Sequence, residues 1–159
     1  FLYGAGDGKI GEIVGGSAED GKKLKEKFFK KLPAIRSLVE LVARVYKDTG
    51  MLRALDGNPY HIRSAHSALN TLLQGAGALV MKYYVIFLDR SLSARFTAGI
   101  NYEFVLNVHD EVQIECDEEI ADEVAKLAEE AFDDVTKYLK FRIPLRGTAS
   151  IGNTWAETH

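Results

Sequence analysis

The sequence predicts an α+β fold in which a small antiparallel sheet packs on long helices. Residues 1–50 repeat apolar positions at helical spacing. An apolar segment rich in Ala and Leu follows near 65–88, and two strand-like segments flank a tight turn within 104–116. Helices and strands therefore come in runs rather than in strict alternation, an order typical of α+β domains.

The composition is that of an ordinary globular protein. Apolar residues make up 47% and charged residues 27% of the 159 positions, a length sufficient for one compact core. No uninterrupted apolar run approaches the length of a membrane span and no signal peptide is evident, so we expect no membrane partner. The single cysteine, Cys116, excludes an internal disulfide framework.

Charge is distributed unevenly within the net value of −3. Residues 1–50 carry ten basic and seven acidic side chains, residues 51–100 carry five and two, and residues 101–159 carry five and fourteen. The first two thirds of the chain could therefore face a polyanion, although solvated helix faces of either sign would give the same pattern.

The first fifty residues contain clear helix start and stop signals. The glycine-rich opening FLYGAGDGKIGEIVGG predicts a short helix, and it matches neither consensus for a phosphate-binding loop. Because it begins on Phe1 within an apolar stretch, we expect an element that continued upstream. Ser17 or Asp20 can cap a helix over about 18–31 that has a basic outer face. Pro33 can open the next helix, which we expect to stop at residue 50, a glycine.

The remaining elements follow from turn signals and periodicity. LRALDGNPYHIRS predicts a hairpin around its Asp-Gly pair. A long, largely buried helix is expected from about Ala65 to Leu88, with an extension to Ser93 left open. EEIADEVAKLAEEAFDDVTKYL predicts an amphipathic helix with an acidic outer face, and FRIPLRGTASIG one more short strand.

The segment FVLNVHDEVQIEC predicts a hairpin with its two-residue turn at Asp110-Glu111 and with Phe104, Leu106 and Val108 on one face. Such turns favour Asn-Gly or Asp-Gly, whereas two adjacent carboxylates repel each other. A poor turn in a well-patterned hairpin suggests selection by something other than folding. A Mg²⁺ ion, which prefers hard oxygen ligands, would relieve the repulsion. An exposed acidic tip without a ligand is the alternative.

Three polar residues form a stripe at helical spacing on the otherwise apolar long helix: His66, Asn70 and Gln74. Side-chain amides both donate and accept, which suits the acceptors at minor-groove base edges. Buried amides that satisfy neighbouring backbone are the alternative. Arg63 and the basic helix could contact phosphates. The four histidines and one cysteine show no zinc-ligand spacing.

These motifs, in this order, resemble those of family A DNA polymerases, the Pol I family, and within it the phage replicative branch. VHDE at 108–111 resembles the third conserved motif, and RSAHSALNTLLQGAGA resembles the palm helix upstream of it. FLYGAGDGKIG resembles the segment after the nucleotide-gripping fingers helix, LDGNPYHIRS the LDGR hairpin, and GNTWAETH the C-terminus of podovirus-type enzymes. Asn58 departs from the LDGR pattern, so an arginine contact to phosphate is not expected there.

The resemblance implies a role for each matched position. Asp110 matches a catalytic aspartate that helps hold two Mg²⁺ ions, and Glu111 its acidic neighbour near the metals or primer terminus. His109 matches a histidine that approaches the primer strand, and His159 a terminal histidine near the active site. The matched DNA-contacting positions are Asn70 and Gln74, which would read the minor groove, and His66, which replaces an arginine of bacterial relatives.

The resemblance also implies how the chain is organised. Residues 1–50 match the exit of the fingers and residues 51–159 the second half of the palm. The first metal-binding aspartate and the nucleotide-gripping helix have no match in this sequence. We therefore expect the isolated chain to be inactive and to need an N-terminal polymerase portion.

Further expectations concern partners and setting. The implied partners are primer-template DNA and dNTP, and an exposed palm surface leaves room for oligomerisation. If phage-encoded, the protein would act in the cytoplasm of a bacterial host. The alternative is a non-catalytic module that binds DNA or a partner protein.

Overall fold

The computed structural model describes residues 5–158, with only the backbone of His66, and shows helices interspersed with two hairpins. The elements in chain order are α1 (Asp7–Ile13), α2 (Ala18–Lys31), α3 (Pro33–Thr49), β1 (Leu52–Arg53), β2 (Pro59–Tyr60), α4 (Ala68–Ser93), β3 (Tyr102–Val108), β4 (Glu111–Cys116), α5 (Ala121–Tyr138) and α6 (Trp155–Thr158). Short 3₁₀ turns precede α4 and α5. Because β1–β2 and β3–β4 are antiparallel, the α+β class is confirmed. The chain forms two compact units, divided within α4 after Ala76.

In the first unit, a capping box starts α2, and two glycines allow α1 and α2 to pack closely. The Asp20 carboxylate accepts from the Ser17 backbone N–H at 2.9 Å, while the Ser17 hydroxyl accepts from the Asp20 N–H at 3.3 Å. The Ser17 hydroxyl also donates to the Asp20 carboxylate at 2.7 Å, and this hydrogen bond, together with the one from the Ser17 N–H, lowers the pKa of Asp20. Glycine at positions 11 and 21 lets the two backbones touch, because a Cβ on Gly21 would lie 2.0 Å from the Asp7 carbonyl oxygen. The expected helix and its cap are both confirmed.

The rest of the first unit packs on the start of α4. Helix α3 begins at Pro33 and ends at Thr49, and the following Gly50, with φ of 68°, forms the expected left-handed cap. Its buried Val42 packs in a small core, together with residues from β1 and α4: Leu52, Ala68 and Leu69. The Tyr60 ring lies so close to Gly75 that a Cβ there would approach its hydroxyl to 2.3 Å. Burial at this contact raises the pKa of Tyr60.

The second unit is built around the end of α4 and one face of α5. The fully buried Leu88 and Val135 lie in its core, and the Tyr84 ring stacks on Phe132 with centroids 4.3 Å apart. Burial raises the pKa of Tyr84 to about 12. The expected apolar stripe of α5 is confirmed, since its buried residues are Val124, Leu127, Ala131 and Val135. Burying each of the valine and leucine side chains contributes about 1.5–3 kcal/mol.

The strand expected within FRIPLRGTASIG is not formed, because its backbone bonds to side chains of α5 instead of to another strand. The Leu145 N–H donates to the Thr136 hydroxyl at 2.9 Å, and the Ala149 N–H donates to the Glu129 carboxylate at 3.0 Å. Gly147 between them lies against the Phe132 ring, where a Cβ would clash at 2.2 Å. This extended segment is therefore a strap across α5 rather than a strand.

Helix α4 also differs from expectation. Of its 26 residues only six are buried, so it is not the largely buried helix that its composition indicates: Ala68, Leu69, Met81, Tyr84, Leu88 and Leu92. It is long and apolar enough to cross a membrane by length and composition alone, contrary to expectation, although core helices of soluble proteins meet the same criterion. The sequence shows the apolar character of α4 but not which of its faces find partners within the chain.

We predict that Gly21→Ala lowers the free energy of unfolding by about 1–3 kcal/mol, because the added methyl group forces α1 away from α2. Chemical denaturation of the chain measures this change. Gly8→Ala on α1 is the matched control, since its Cβ would meet nothing within 4 Å. It should be neutral or stabilising by up to about 1 kcal/mol through helix propensity. Equal effects of the two substitutions would contradict the close backbone contact.

Candidate functional site

The candidate catalytic residues lie at the closed end of the β3–β4 hairpin. Val108 and Glu111 form its last cross-strand pair, so the two-residue turn is His109-Asp110. The turn expected at Asp110-Glu111 is wrong by one position, because Glu111 belongs to β4. The two carboxylates are adjacent in sequence, but one lies in the turn and the other on a strand.

The backbone of His109 adopts the left-handed conformation, with φ of 53°. This region costs about 1–2 kcal/mol for most residues with a Cβ, and histidine enters it more often than most. Asp110 has no positive φ, so the turn is not the type I′ that Asn-Gly favours. The tip therefore combines local backbone strain with two carboxylates, a combination that occurs often at functional sites.

A β-bulge at Val105 changes which side chains share a face. Phe104 pairs with Ile114, but the next pair is Leu106 with Gln113, so β3 contains one extra residue. The expectation that Phe104, Leu106 and Val108 share one face is therefore wrong. Beyond the bulge, Leu106 and Val108 lie opposite Gln113 and Glu111, while Phe104 packs on the core.

Among the residues that the structure describes, Trp155 and Gln113 donate to the carboxylate of Glu111. Its Oε1 accepts from the indole Nε1 of Trp155 at 3.2 Å and from the side-chain amide of Gln113. The oxygen of that amide accepts in turn from the Thr158 hydroxyl at 3.4 Å. Helix α6 is thereby tied to β4 across more than forty residues of sequence. The sequence indicates neither this helix nor the part played by Trp155.

Asp110 and Glu111 fit a hard divalent cation by ligand type but not by ligand number. Within residues 5–158, no hydrogen bond or ion pair engages the exposed Asp110 carboxylate. Mg²⁺ takes six oxygen ligands in a near-octahedral shell, of which several are usually water. The described residues contain no group of three His, Cys, Asp or Glu side chains that could hold a metal. The hairpin can thus supply part of a metal site only.

The polar stripe on α4 has an unusual member in Asn70. Its Oδ1 is buried from solvent, and it has no hydrogen-bond partner among the described residues. Gln74, one turn further along, is exposed. Buried polar atoms are nearly always paired, so this acceptor marks a position that a group other than the described residues can satisfy. The contact of Gly75 with Tyr60 fixes this part of α4 against β2.

The other candidate residues are only partly described. Arg63 is exposed just before the 3₁₀ turn Ala65–Ser67 that contains the backbone of His66. His159 lies outside the described residues, as do the first four residues of the motif FLYGAGDGKIG. The structure thus brings His109, Asp110 and Glu111 together at one hairpin end and Asn70 and Gln74 together on one helix.

The chain belongs to DNA polymerase family A, because the model of that family matches residues 1–157. It is 38% identical over 180 aligned positions to the DNA-directed DNA polymerases of Enterobacteria phage T3 and of Escherichia phage T7, with 100% of the chain covered. Identity to DNA polymerase I of Aquifex aeolicus is 29%, over 94% of the chain. The resemblance to the family and to its phage members is confirmed.

The comparisons also set limits. The chain spans about a quarter of the length of these curated relatives, 25% of each phage enzyme and 26% of the Aquifex enzyme. Among solved structures, it resembles the POL domain of Pol1 from M. smegmatis in complex with DNA primer-template and dNTP. That match has a TM-score of 0.73 and 22% identity over 84% of this chain and 25% of the other. It establishes the fold.

We predict that His109→Gly raises the free energy of unfolding by up to about 1 kcal/mol, because glycine adopts positive φ without steric cost. Lys140→Gly is the matched comparison: Lys140 follows the C-cap of α5, Leu139, with φ of 54° and lies outside the hairpin. Denaturant unfolding should show a similar gain for both. Loss of stability in His109→Gly alone would show that the imidazole supports the fold.

Proposed function

We propose that this chain is the part of a DNA-directed DNA polymerase that carries the hairpin carboxylate of a two-metal site. Residues 1–50 would form the exit of the fingers and residues 51–159 the second half of the palm. The supporting observation is the strained tip His109-Asp110, with Glu111 beside it, in a chain that the family A model matches almost throughout. The reaction would be template-directed nucleotidyl transfer.

Each residue at the hairpin tip has different surroundings, which suggest a different role for it. Asp110, exposed in the turn, would serve as a metal ligand, and Glu111 on β4 would add a carboxylate in a fixed orientation. Mg²⁺, when bound, supplies activation of the primer 3′-OH and stabilisation of the pyrophosphate leaving group. His109, held in the left-handed conformation, would approach the primer strand, and the terminal His159 would lie near the active site.

Contacts to DNA would come from the polar stripe on α4. Minor-groove edges offer acceptors at every base pair and a donor at guanine, so side-chain amides can pair with either. Asn70, with an orphan oxygen, and the exposed Gln74 carry such amides. His66 and Arg63 would contact the strands nearby. The M. smegmatis neighbour was solved with primer-template and dNTP, which supports both as partners here.

The chain would need further polymerase sequence to act. Its hairpin offers only part of a metal-ligand set, and its relatives are about four times as long. Exposed aliphatic side chains in the second unit suggest a covering partner, since Ile100 and Ile143 are about three-quarters exposed and Val105 more than half. An N-terminal polymerase portion is the proposed partner. We further propose self-association through exposed apolar side chains, no membrane contact and action in bacterial cytoplasm.

We predict that Asp110→Ala lowers the rate of primer extension by several orders of magnitude, because the metal loses a charged ligand. The assay combines the chain with an N-terminal polymerase portion, primer-template and dNTP, and measures extension and DNA binding separately. DNA binding should persist. Glu115→Ala, an exposed carboxylate on the same strand, is the matched control and should leave extension unchanged. Undiminished extension by Asp110→Ala, or DNA binding without any extension by the unaltered assembly, would refute the proposal and favour a non-catalytic binding module.

We also predict that Asn70→Leu leaves the chain as stable as before or about 1 kcal/mol more stable, because it replaces an orphan buried oxygen with an isosteric apolar group. Extension in the assembled enzyme should fall. Asn101→Leu is the contrasting variant, since the Asn101 side chain accepts from the Thr97 N–H and donates to Asp117, both at 3.1 Å. It should lower the free energy of unfolding by about 1–3 kcal/mol. Destabilisation by Asn70→Leu would mean that the amide serves the fold.

A further inference from the structure

Building on the proposed function, we propose that α6 positions the Glu111 carboxylate and that Trp155 is its principal positioning residue. The indole N–H of Trp155 and the side-chain amide of Gln113 donate to the same carboxylate oxygen. Neither residue need touch substrate or metal for this. Each acts through Glu111, which lies next to the proposed metal ligand Asp110.

The hydrogen bonds form a directed chain. The Thr158 hydroxyl shares its one proton between Gln113 Oε1, at 3.4 Å, and the Trp155 carbonyl oxygen, at 3.1 Å, and Gln113 Nε2 donates onward to Glu111. Because one end of the amide accepts and the other donates, its orientation is set at both ends. The indole of Trp155 completes the arrangement from the same helix, at 3.2 Å from Glu111 Oε1. Two residues of α6 thus act on one carboxylate, one directly and one through Gln113.

Burial alone does not explain where Trp155 lies. Its side chain is 52% exposed, although an indole ordinarily contributes most by being buried. The short helix is stabilised by its own polar contacts instead: the Asn153 N–H donates to the Glu157 carboxylate at 2.7 Å, and the Thr158 hydroxyl donates to the Trp155 carbonyl at 3.1 Å. The indole is therefore presented to Glu111 by α6 rather than drawn into a core.

Fixing Glu111 in advance has a chemical consequence. A glutamate side chain has several rotamers, and ordering it when a ligand binds carries an entropic penalty. Two donors on Oε1 order it beforehand, so that a cation at the tip meets a preorganised carboxylate. Loss of the indole donor should weaken the response to Mg²⁺ and slow turnover, while leaving the affinity for primer-template unchanged.

The contact can be tested without any activity, because Trp155 is the only tryptophan of the chain and gives one indole N–H resonance in an NMR spectrum. Glu111→Ala should move that resonance upfield and speed its exchange with solvent. Glu115→Ala removes another carboxylate of β4 and should leave the resonance in place. An indole resonance that Glu111→Ala does not move would overturn the inference.

The consequence is tested in the assembled polymerase with Trp155→Phe, which keeps an aromatic ring and removes the N–H. We expect the half-saturating Mg²⁺ concentration to rise several-fold and kcat to fall, with the KM for primer-template unchanged. Thr158→Val removes the hydroxyl that donates to Gln113. It should also raise the half-saturating Mg²⁺ concentration, by a smaller factor. An unchanged Mg²⁺ response in Trp155→Phe would contradict positioning.

The two proposals fail in distinguishable ways. If Asp110→Ala leaves extension intact, or the unaltered assembly makes no product, the polymerase proposal is refuted, and the indole resonance still decides whether α6 holds Glu111. If Asp110→Ala abolishes extension while Trp155→Phe changes neither the Mg²⁺ response nor kcat, only the positioning role is refuted.

Discussion

The register of the β3–β4 hairpin determines where every candidate catalytic group lies. Side chains alternate along a strand, so a shift of one residue would move Glu111 to the opposite face. The bulge at Val105 absorbs one residue, which lets Phe104 pack on the core while Gln113 and Glu111 share the other face beyond it. The position of the turn, the contact with α6 and the separation of the two carboxylates all depend on that register.

The core of the second unit holds this hairpin in place, and the strained tip lies outside that core. Tyr84 stacks on Phe132, and the strap around Gly147 closes over that ring. Leu88 and Val135 are fully buried, and the burial of each stabilises the fold by about 1.5–3 kcal/mol. That gain equals or exceeds the cost of about 1–2 kcal/mol from the backbone conformation of His109. The fold therefore tolerates a turn that is poor in purely local terms.

The features that sequence alone predicts are those set by local chemistry. Ser17, Pro33 and Gly50 mark helix ends through interactions within a few residues, so the bounds of α2 and α3 follow directly. The turn of the catalytic hairpin does not, because a bulge elsewhere in the ladder shifts it. The pairing of Trp155 with Glu111 joins positions 44 residues apart in sequence. Neither secondary-structure propensity nor periodicity predicts a contact over that separation. Family motifs indicate Asp110 and Glu111 but not the contacts that hold Glu111.

The acidic face of α5 has a kinetic consequence. The helix carries six carboxylates and two lysines, and its first-turn Asp122 and Glu123 are exposed. Ion pairs with Arg or Lys offset four of these carboxylates, and a polyanion that diffuses toward this surface is repelled by the negative charge that remains. Collisions on that side would rarely persist, so productive encounters are biased toward other approaches. Raising ionic strength shortens the range of this repulsion, and the bias in approach direction should fade as salt increases.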